Sequence, residues 1–300
     1  MSIQKSASQH QPVGLPGREP VRTGGARWDH SPPTSFSNRR GFVATLFAGA
    51  ASATFAAWGI TAQAAGRTVT PQPITDTLNF VLNLEYLEAN FYLYATSGHG
   101  LSPNETGDGP QPTGVPVHIP FAPDTRAVIH ALAQDEVNHI ILLRAAITSL
   151  GGSPIPQPAI HYGAMGTMTT QAQYLAAARR FITLGNSAYT GSIQFLSRNP
   201  NVLTTVAQIL GARGQHAGMV NSLCVAQQVA ERRLDEQDVA PEKTSCFTVT
   251  SGTGISPART ASEVLGIAYG SFTSTTVAPA RGTTLGGVFP LGANGNIKST

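Results

Sequence analysis

Apolar residues recur at intervals of three and four along four stretches of the chain. Each stretch is bounded by Gly/Pro punctuation or a polar run, and this spacing predicts four helices. The first spans about Ile74 to Thr96, opened by Pro73 and Thr75 and closed by Ser97-Gly98. A loop rich in Gly and Pro follows, from Gly98 to Pro123. The second helix runs from about Asp124, a candidate cap, to Leu150, with Gly151-Gly152 as its stop. The third covers about Gln171 to Arg198 and ends before Asn199-Pro200; the fourth starts near Asn201, a candidate cap, and runs to about Leu234. Such helices are about 35 to 50 Å long, which is bundle length. Beyond Asp235 the pattern dissolves into Gly, Ser and Thr with short apolar runs at Val264 to Ala268 and Val288 to Leu291. The expected organisation is a bundle over residues 65–235 and an irregular C-terminal extension over 236–300, with one or two strands in it.

The heptad seams carry the candidate chemistry. On the second helix the seam reads Leu132, Glu136, His139, Leu143, Ala146 and Leu150, so Glu136 and His139 point inward together. A Glu-x-x-His pair on the buried face of a bundle helix is an element of di-iron carboxylate centres, where carboxylates bridge hard cations and imidazoles cap them. The first helix gives the seam Leu78, Leu82, Glu85, Ala89 and Tyr92. Glu85 falls on that seam, where an isolated carboxylate is expensive to bury. Glu88 lies at its flank and is expected to be a solvated rim carboxylate, and Tyr92 is expected to pack as a core aromatic. On the fourth helix the seam is Val202, Val206, Ile209, Arg213, His216, Val220 and Leu223.

The stretch Leu78-Asn79-Phe80-Val81-Leu82-Asn83-Leu84-Glu85-Tyr86-Leu87-Glu88-Ala89-Asn90-Phe91-Tyr92 resembles the opening helix of ferritin-like proteins grouped with plant desiccation-related proteins. Gln134-Asp135-Glu136-Val137-Asn138-His139 resembles their second metal-ligand helix and Gln215-His216-Ala217-Gly218 their fourth. Gly287-Val288-Phe289-Pro290 with Asn294-Gly295 resembles their closing segment. The resemblance implies an all-α, ferritin-like four-helix bundle associated with stress and export.

The departures from that pattern matter as much. A complete di-metal site takes one Glu from each of two helices and Glu-x-x-His from each of the other two. The third helix has no Asp or Glu between Gln171 and Arg198, and Ile182 and Thr183 stand about where the family would place one. On the fourth, Arg213 takes the place of the Glu three residues before His216. Four candidate metal ligands remain: Glu85, Glu136, His139 and His216. Either these four bind one divalent ion, such as iron, manganese or zinc, or no metal binds and Arg213 supplies the positive charge by pairing with Glu136 or Glu85. The second outcome is preferred, because a metal-binding acid has been exchanged for a fixed cation on the same seam.

Composition sharpens the picture. The formal net charge of +3 is uneven. Residues 1–64 carry six Lys/Arg (Lys5, Arg18, Arg22, Arg27, Arg39, Arg40) against Glu19 and Asp29. That leaves 13 of the 19 basic and 14 of the 16 acidic residues for the rest, a net charge of −1. A nucleic-acid partner therefore loses its support. The leader has a polar basic region, an apolar run from Phe42 to Ile60 and a small-residue exit at Ala62-Gln63-Ala64. Ser37-Asn38-Arg39-Arg40-Gly41-Phe42-Val43 resembles a twin-arginine export motif. It implies passage through the twin-arginine machinery, a periplasmic or secreted protein, and no stable membrane anchor once the signal is removed. The tract before Arg39, rich in Gly, Pro and Ser, is expected to be disordered. Cys224 and Cys246 could be joined by a disulfide or stand as two thiols. His99, His118, His130 and His161 are expected at the surface or in local hydrogen bonds. No nucleophile elbow or phosphate loop supports a hydrolase or nucleotide enzyme.

The leading functional expectation is an exported, stress-associated ferritin-like protein with a degenerate di-metal site, non-catalytic or weakly metal-binding. The alternatives are a di-iron or single-metal redox enzyme, either an oxidase or a peroxide consumer, and a structural or interaction module that could form a homo-oligomer.

Overall fold

The computed structural model describes residues 73–229, 233–242, 246, 253–272 and 279–300. The expected leader, with Arg39 and Arg40, lies outside them. Six α-helices appear among the described residues: α1 (Ile74–Ser97), α2 (Pro103–Thr106), α3 (Pro123–Ser149), α4 (Gln171–Ser192), α5 (Pro200–Ala226) and α6 (Ala261–Tyr269). The four long ones, α1, α3, α4 and α5, form the expected bundle; α1 packs on α3 and α4, and α4 on α5. Among the described residues there is no β-strand. The strands expected in the C-terminal segment are absent there, and the apolar run Val264 to Ala268 instead lies in α6. That helix is opened by a capping box in which Thr260 accepts from the Glu263 amide at 3.3 Å while Glu263 accepts from the Thr260 amide at 2.8 Å.

Helix ends follow their local chemistry. At α3 the Gly151 amide bonds Thr148 O (3.0 Å) and the Gly152 amide bonds Ile147 O (3.0 Å), with Gly151 left-handed at φ 76°. This Schellman closure was legible from its glycines. The same closure ends α5 at Ala226 rather than at the expected Leu234: the Gln228 amide bonds Val225 O (3.2 Å) and the Val229 amide bonds Cys224 O (2.9 Å). Gln228 takes the left-handed position at φ 53° without the usual glycine, while Val229 and Leu234 continue the apolar rhythm, so the sequence hides the stop. The α5 cap is Asn199, whose Oδ1 accepts from the Val202 amide at 3.2 Å, not Asn201, because Pro200 fits the first helical position. The α3 cap is Ala122, with Asp124 inside the first turn. The α4 helix ends at Ser192, followed by a 3-10 turn over Ile193–Leu196.

A bundle helix usually keeps one face in water, but α1 is buried on every side from Thr77 to Leu93. Asparagines make this tolerable on its outer face. Asn79 donates to Ser153 O (3.1 Å) and accepts from the Ile155 amide (3.0 Å). Asn83 donates to Asn294 O (3.0 Å) and accepts from the Asn294 amide (2.9 Å). Asn90 donates to Gln157 Oε1 (2.7 Å) and accepts from the Leu101 amide (3.1 Å). The α3–α4 connection and the C-terminal segment are thereby laid over α1. Towards one end the core is aromatic: Phe91 stacks on Tyr174 with centroids 4.4 Å apart and meets Phe181 edge-on, and Phe181 meets Phe272 of the C-terminal segment.

A second tie fixes that segment to α4. The fully buried Arg179 makes a bidentate pair with the buried Asp238 (2.7 and 2.6 Å). Arg259 pairs with Asp235 through Nε (2.8 Å) and Nη2. Cys224 and Cys246 are not joined by a disulfide; the Cys246 carbonyl accepts from Asn221 Nδ2 (2.9 Å). No helix among the described residues is long and apolar enough to cross a membrane.

The Arg179–Asp238 pair makes the first prediction. Asp238→Ala leaves a guanidinium buried without its carboxylate and is expected to lower the unfolding free energy by about 3–5 kcal/mol in urea melts. The Arg179→Met/Asp238→Leu double variant, which buries apolar groups instead, is expected to recover most of that loss.

Candidate functional site

Three helices each present two polar side chains one turn apart, which keeps both on the same face. On α1 these are Glu85 and Glu88, on α3 Glu136 and His139, on α5 Arg213 and His216. The structure brings all six together in the middle of the bundle. Glu85, Glu136 and Arg213 are fully buried, Glu88 is 1 % exposed, and His139 and His216 are 6 and 7 % exposed. All four sequence-predicted ligands and the predicted substitute cation therefore meet at one level.

Arg213 is the centre of the cluster. Its Nη1 donates to Glu85 Oε1 at 2.9 Å and to Glu136 Oε2 at 3.0 Å. Its Nη2 donates to Glu88 Oε1. The expected solvated position of Glu88 is thus overturned. The first helix has no water-facing side at that level, and Glu88 shares the guanidinium. His139 Nδ1 lies 3.0 Å from Glu136 Oε2 and 3.3 Å from Glu85 Oε2. His216 is held from both sides, Nδ1 3.2 Å from Glu136 Oε1 and Nε2 3.0 Å from Oδ2 of Asp135, whose side chain is 53 % exposed. Tyr92 packs edge-on against Phe91, as a core aromatic.

The α4 helix contributes without an acid. Tyr189 donates its hydroxyl to Glu85 Oε1 at 2.6 Å, and its ring centroid lies 5.2 Å from Arg213 Cζ, within cation–π range. The α4 position that looks at the guanidinium is Gly185. A Cβ built there would overlap Arg213 Nη2 and lie 2.9 Å from Cζ and 2.5 Å from Glu88 Oε1. Sequence reading missed Glu88, Gly185, Tyr189 and Asp135 as members of the site. Two signals were available: a glycine inside a helix, which often marks close approach, and Arg213 as the sole Lys, Arg, Asp or Glu of α5.

Three carboxyls cannot all ionise against one guanidinium in a dry site, and the protonation pattern follows from that. Burial pushes the Glu88 carboxyl up to about 8, with Arg213 opposing only in part. Burial likewise raises Glu85, against the pull of Arg213, and the neighbouring charge of Glu136 adds to the rise. Glu136 is the exception. Burial would raise it too, but Arg213 and hydrogen bonds from Glu85, His139 and His216 hold it well below the usual carboxylate range. For His139 burial favours the neutral ring, yet hydrogen bonds to Glu136 and Glu85 overcome it and lift the imidazole to about 10.

These residues do not fit a two-ion centre. Such a centre needs an acid from each of the four helices, and here α4 offers Gly185 and α5 offers Arg213. The donor atoms of Glu85, Glu136 and His139 lie within 4.8 Å of one another, close enough for one ion. The same two carboxylates, however, already accept from the guanidinium, and the imidazole nitrogen facing them carries a proton at neutral pH.

The sign of the pH dependence follows. Glu88 and His139 both bind protons more tightly in the folded chain. Their stabilising contribution is complete below their unfolded values of 4.5 and 6.5 and is lost as pH rises through about 8 and about 10. Glu136 contributes in the opposite sense, above 4.5, and loses its contribution in acid. Thermal melts are expected to show stability falling between about pH 4.5 and about pH 10. Glu88→Gln is expected to flatten the part of that fall below about pH 8.

The matches to known proteins agree with this geometry. A family model described as a ferritin-like domain matches residues 74–226, the span of the four long helices. A ferritin-like catalase, Nec2, of Nesocodon mauritianus is 39% identical over 84 residues, covering 27% of this chain and 26% of that protein. The desiccation-related protein PCC13-62 of Craterostigma plantagineum is 37% identical over 89 residues, covering 29% of this chain and 27% of that protein. The chain thus spans only about a quarter of the length of these curated relatives. With its four-helix bundle and inward-facing Glu and His pairs, matched over half its length by the family model, the chain belongs to the ferritin-like domain family.

Proposed function

We propose that this is an exported, stress-associated ferritin-like protein, related to the desiccation-related type, in which an arginine has taken the place of the metal centre. Its role in this reading is non-catalytic. One observation carries it: the buried Arg213 guanidinium donates to Glu85, Glu88 and Glu136 at once. A guanidinium satisfies inward carboxylates as a divalent ion would, but it offers no open coordination position and cannot change oxidation state. Its charge also opposes entry of a cation. Export through the twin-arginine route, to the periplasm or outside, is proposed on the leader sequence, in particular Arg39 and Arg40.

A second reading has its own support. The Glu85, Glu136 and His139 triad is compact enough for one ion, and one relative is named a ferritin-like catalase. In that reading Arg213 would have to withdraw from two carboxylates before an ion could bind, and the protein would be a single-metal redox enzyme consuming peroxide.

Metal content decides between them. The purified native chain, loaded with iron, manganese or zinc and then desalted, is expected to retain well under one ion per chain, and to consume no peroxide above the buffer rate. Arg213→Glu, which removes the cation and adds a carboxylate, is expected to retain up to one ion. Stoichiometric metal in the unmutated protein overturns the arginine reading in favour of the second.

A further inference from the structure

We propose that Gly185 and Arg213 form one coupled device, the glycine of α4 opening the volume that the guanidinium of α5 fills. Together they close a pocket that would otherwise accept a pair of hard divalent ions such as manganese or iron. This rests on the arginine reading of the centre and goes beyond it by assigning the α4 half of the exchange.

Gly185 sits in the interior of α4, where glycine is a poor helix former compared with alanine. Its backbone does not need glycine, since it is absent from the residues with positive φ and lies in regular helix. What requires glycine is room. A Cβ at this position would overlap Arg213 Nη2, stand 2.9 Å from Cζ and crowd Glu88 Oε1 at 2.5 Å. The two helices are also pinned at this level, where Asn186 Nδ2 donates to the Arg213 carbonyl at 3.3 Å. Lateral adjustment of α4 to admit a larger residue is therefore opposed. Any side chain at 185 and the full guanidinium at 213 compete for the same space.

The same geometry identifies what the device replaces. Glu85 from α1, and Glu136 with His139 from α3, face the cluster, and His216 faces it from α5. A two-ion carboxylate centre lacks only an acid from α4 and one from α5. Besides Tyr189 and His216, those helices face the cluster at positions 185 and 213, and a Cβ at 185 would meet the Arg213 guanidinium. Oxygen-rich donors with two imidazoles suit manganese or iron.

A thermal-unfolding cycle tests the coupling without reference to metal. Arg213→Lys keeps the cation but removes the forked end that meets residue 185. In the native background Gly185→Ala is expected to lower the Tm by roughly 5 °C or more. In the Arg213→Lys background the same change is expected to leave the Tm unchanged or raise it, since alanine favours the helix. Equal effects in both backgrounds overturn the proposal. Such a failure leaves the arginine reading standing, whereas metal in the native chain would sink that reading without altering the packing cycle. In a second arm, the Gly185→Glu/Arg213→Glu double variant, shown to be helical by circular dichroism, is incubated with manganese and desalted. It is expected to retain about two ions per chain, against at most one for Arg213→Glu alone. A folded double variant that binds no more than the single one, or two ions on the single one, overturns the assignment of Gly185. If the double variant does not fold, the alanine–lysine cycle alone decides.

Discussion

A guanidinium enclosed by three carboxyls holds the middle of this bundle, and the helices are arranged around that one interaction. Glu85 and Glu88 bring α1 to it, Glu136 brings α3, and Arg213 brings α5; Tyr189 joins α4 through its hydrogen bond to Glu85 and its ring face. Removing such a set of charges from water costs several kcal/mol per ion, and close hydrogen bonds only partly offset that. The cluster is therefore better understood as specifying which helices meet at what level than as a source of net stability. A half-satisfied version would be worse than none, because each orphaned carboxyl would carry its own desolvation cost. Burial raises Glu88 to about 8 and shifts Glu85 upward as well, so the cluster resists carrying three carboxylates at once.

Arginine and a metal ion solve the same electrostatic problem with different chemistry. Inward carboxylates on a bundle seam need positive charge near them, and either species supplies it. The guanidinium is covalently attached, always charged and directional, so the packing does not depend on metal supply. A bound ion could exchange ligands and electrons; the guanidinium can do neither. Gly185 is part of the same packing, since a Cβ on the helix opposite Arg213 would meet the guanidinium. Fold and chemistry are separable in such a bundle: seam residues such as Leu82, Leu143 and Val206 pack the core whichever cation sits among the carboxyls.

Much of the fold was legible because its signals are local and periodic. The four long helices, the inward aim of Glu136 with His139 and the alignment of Arg213 with His216 all follow from intervals of three and four. The end of α3 was legible through Gly151, but the end of α5 was not, because a glutamine performs the same left-handed closure. Longer-range features left no such mark. Glu88 reads as a flank residue on an isolated helix and is buried because it turns toward Arg213 of α5 and Gly185 of α4. The packing of α6 and the pairing of Asp235 and Asp238 with Arg259 and Arg179 join residues distant in sequence, where no period links partner to partner.

The face of α1 turned away from the centre is closed by a different device. Asn79, Asn83 and Asn90 stand four and seven residues apart on the outer face of α1 and bond, like peptide groups, to the α3–α4 connection, to Asn294 and to the Leu101 amide. Each asparagine offers an amide group that both donates and accepts, so it can fasten a loop that has no strand or helix to satisfy its own backbone. With those segments in place, the first helix becomes the axis of the molecule instead of one of four equal sides. Glu85 and Glu88, on the opposite face, are buried against the other helices, where the attraction between guanidinium and carboxyls is less screened than at a surface. The three asparagines thus fasten loops to one face of α1 while the arginine centre fastens helices to the other.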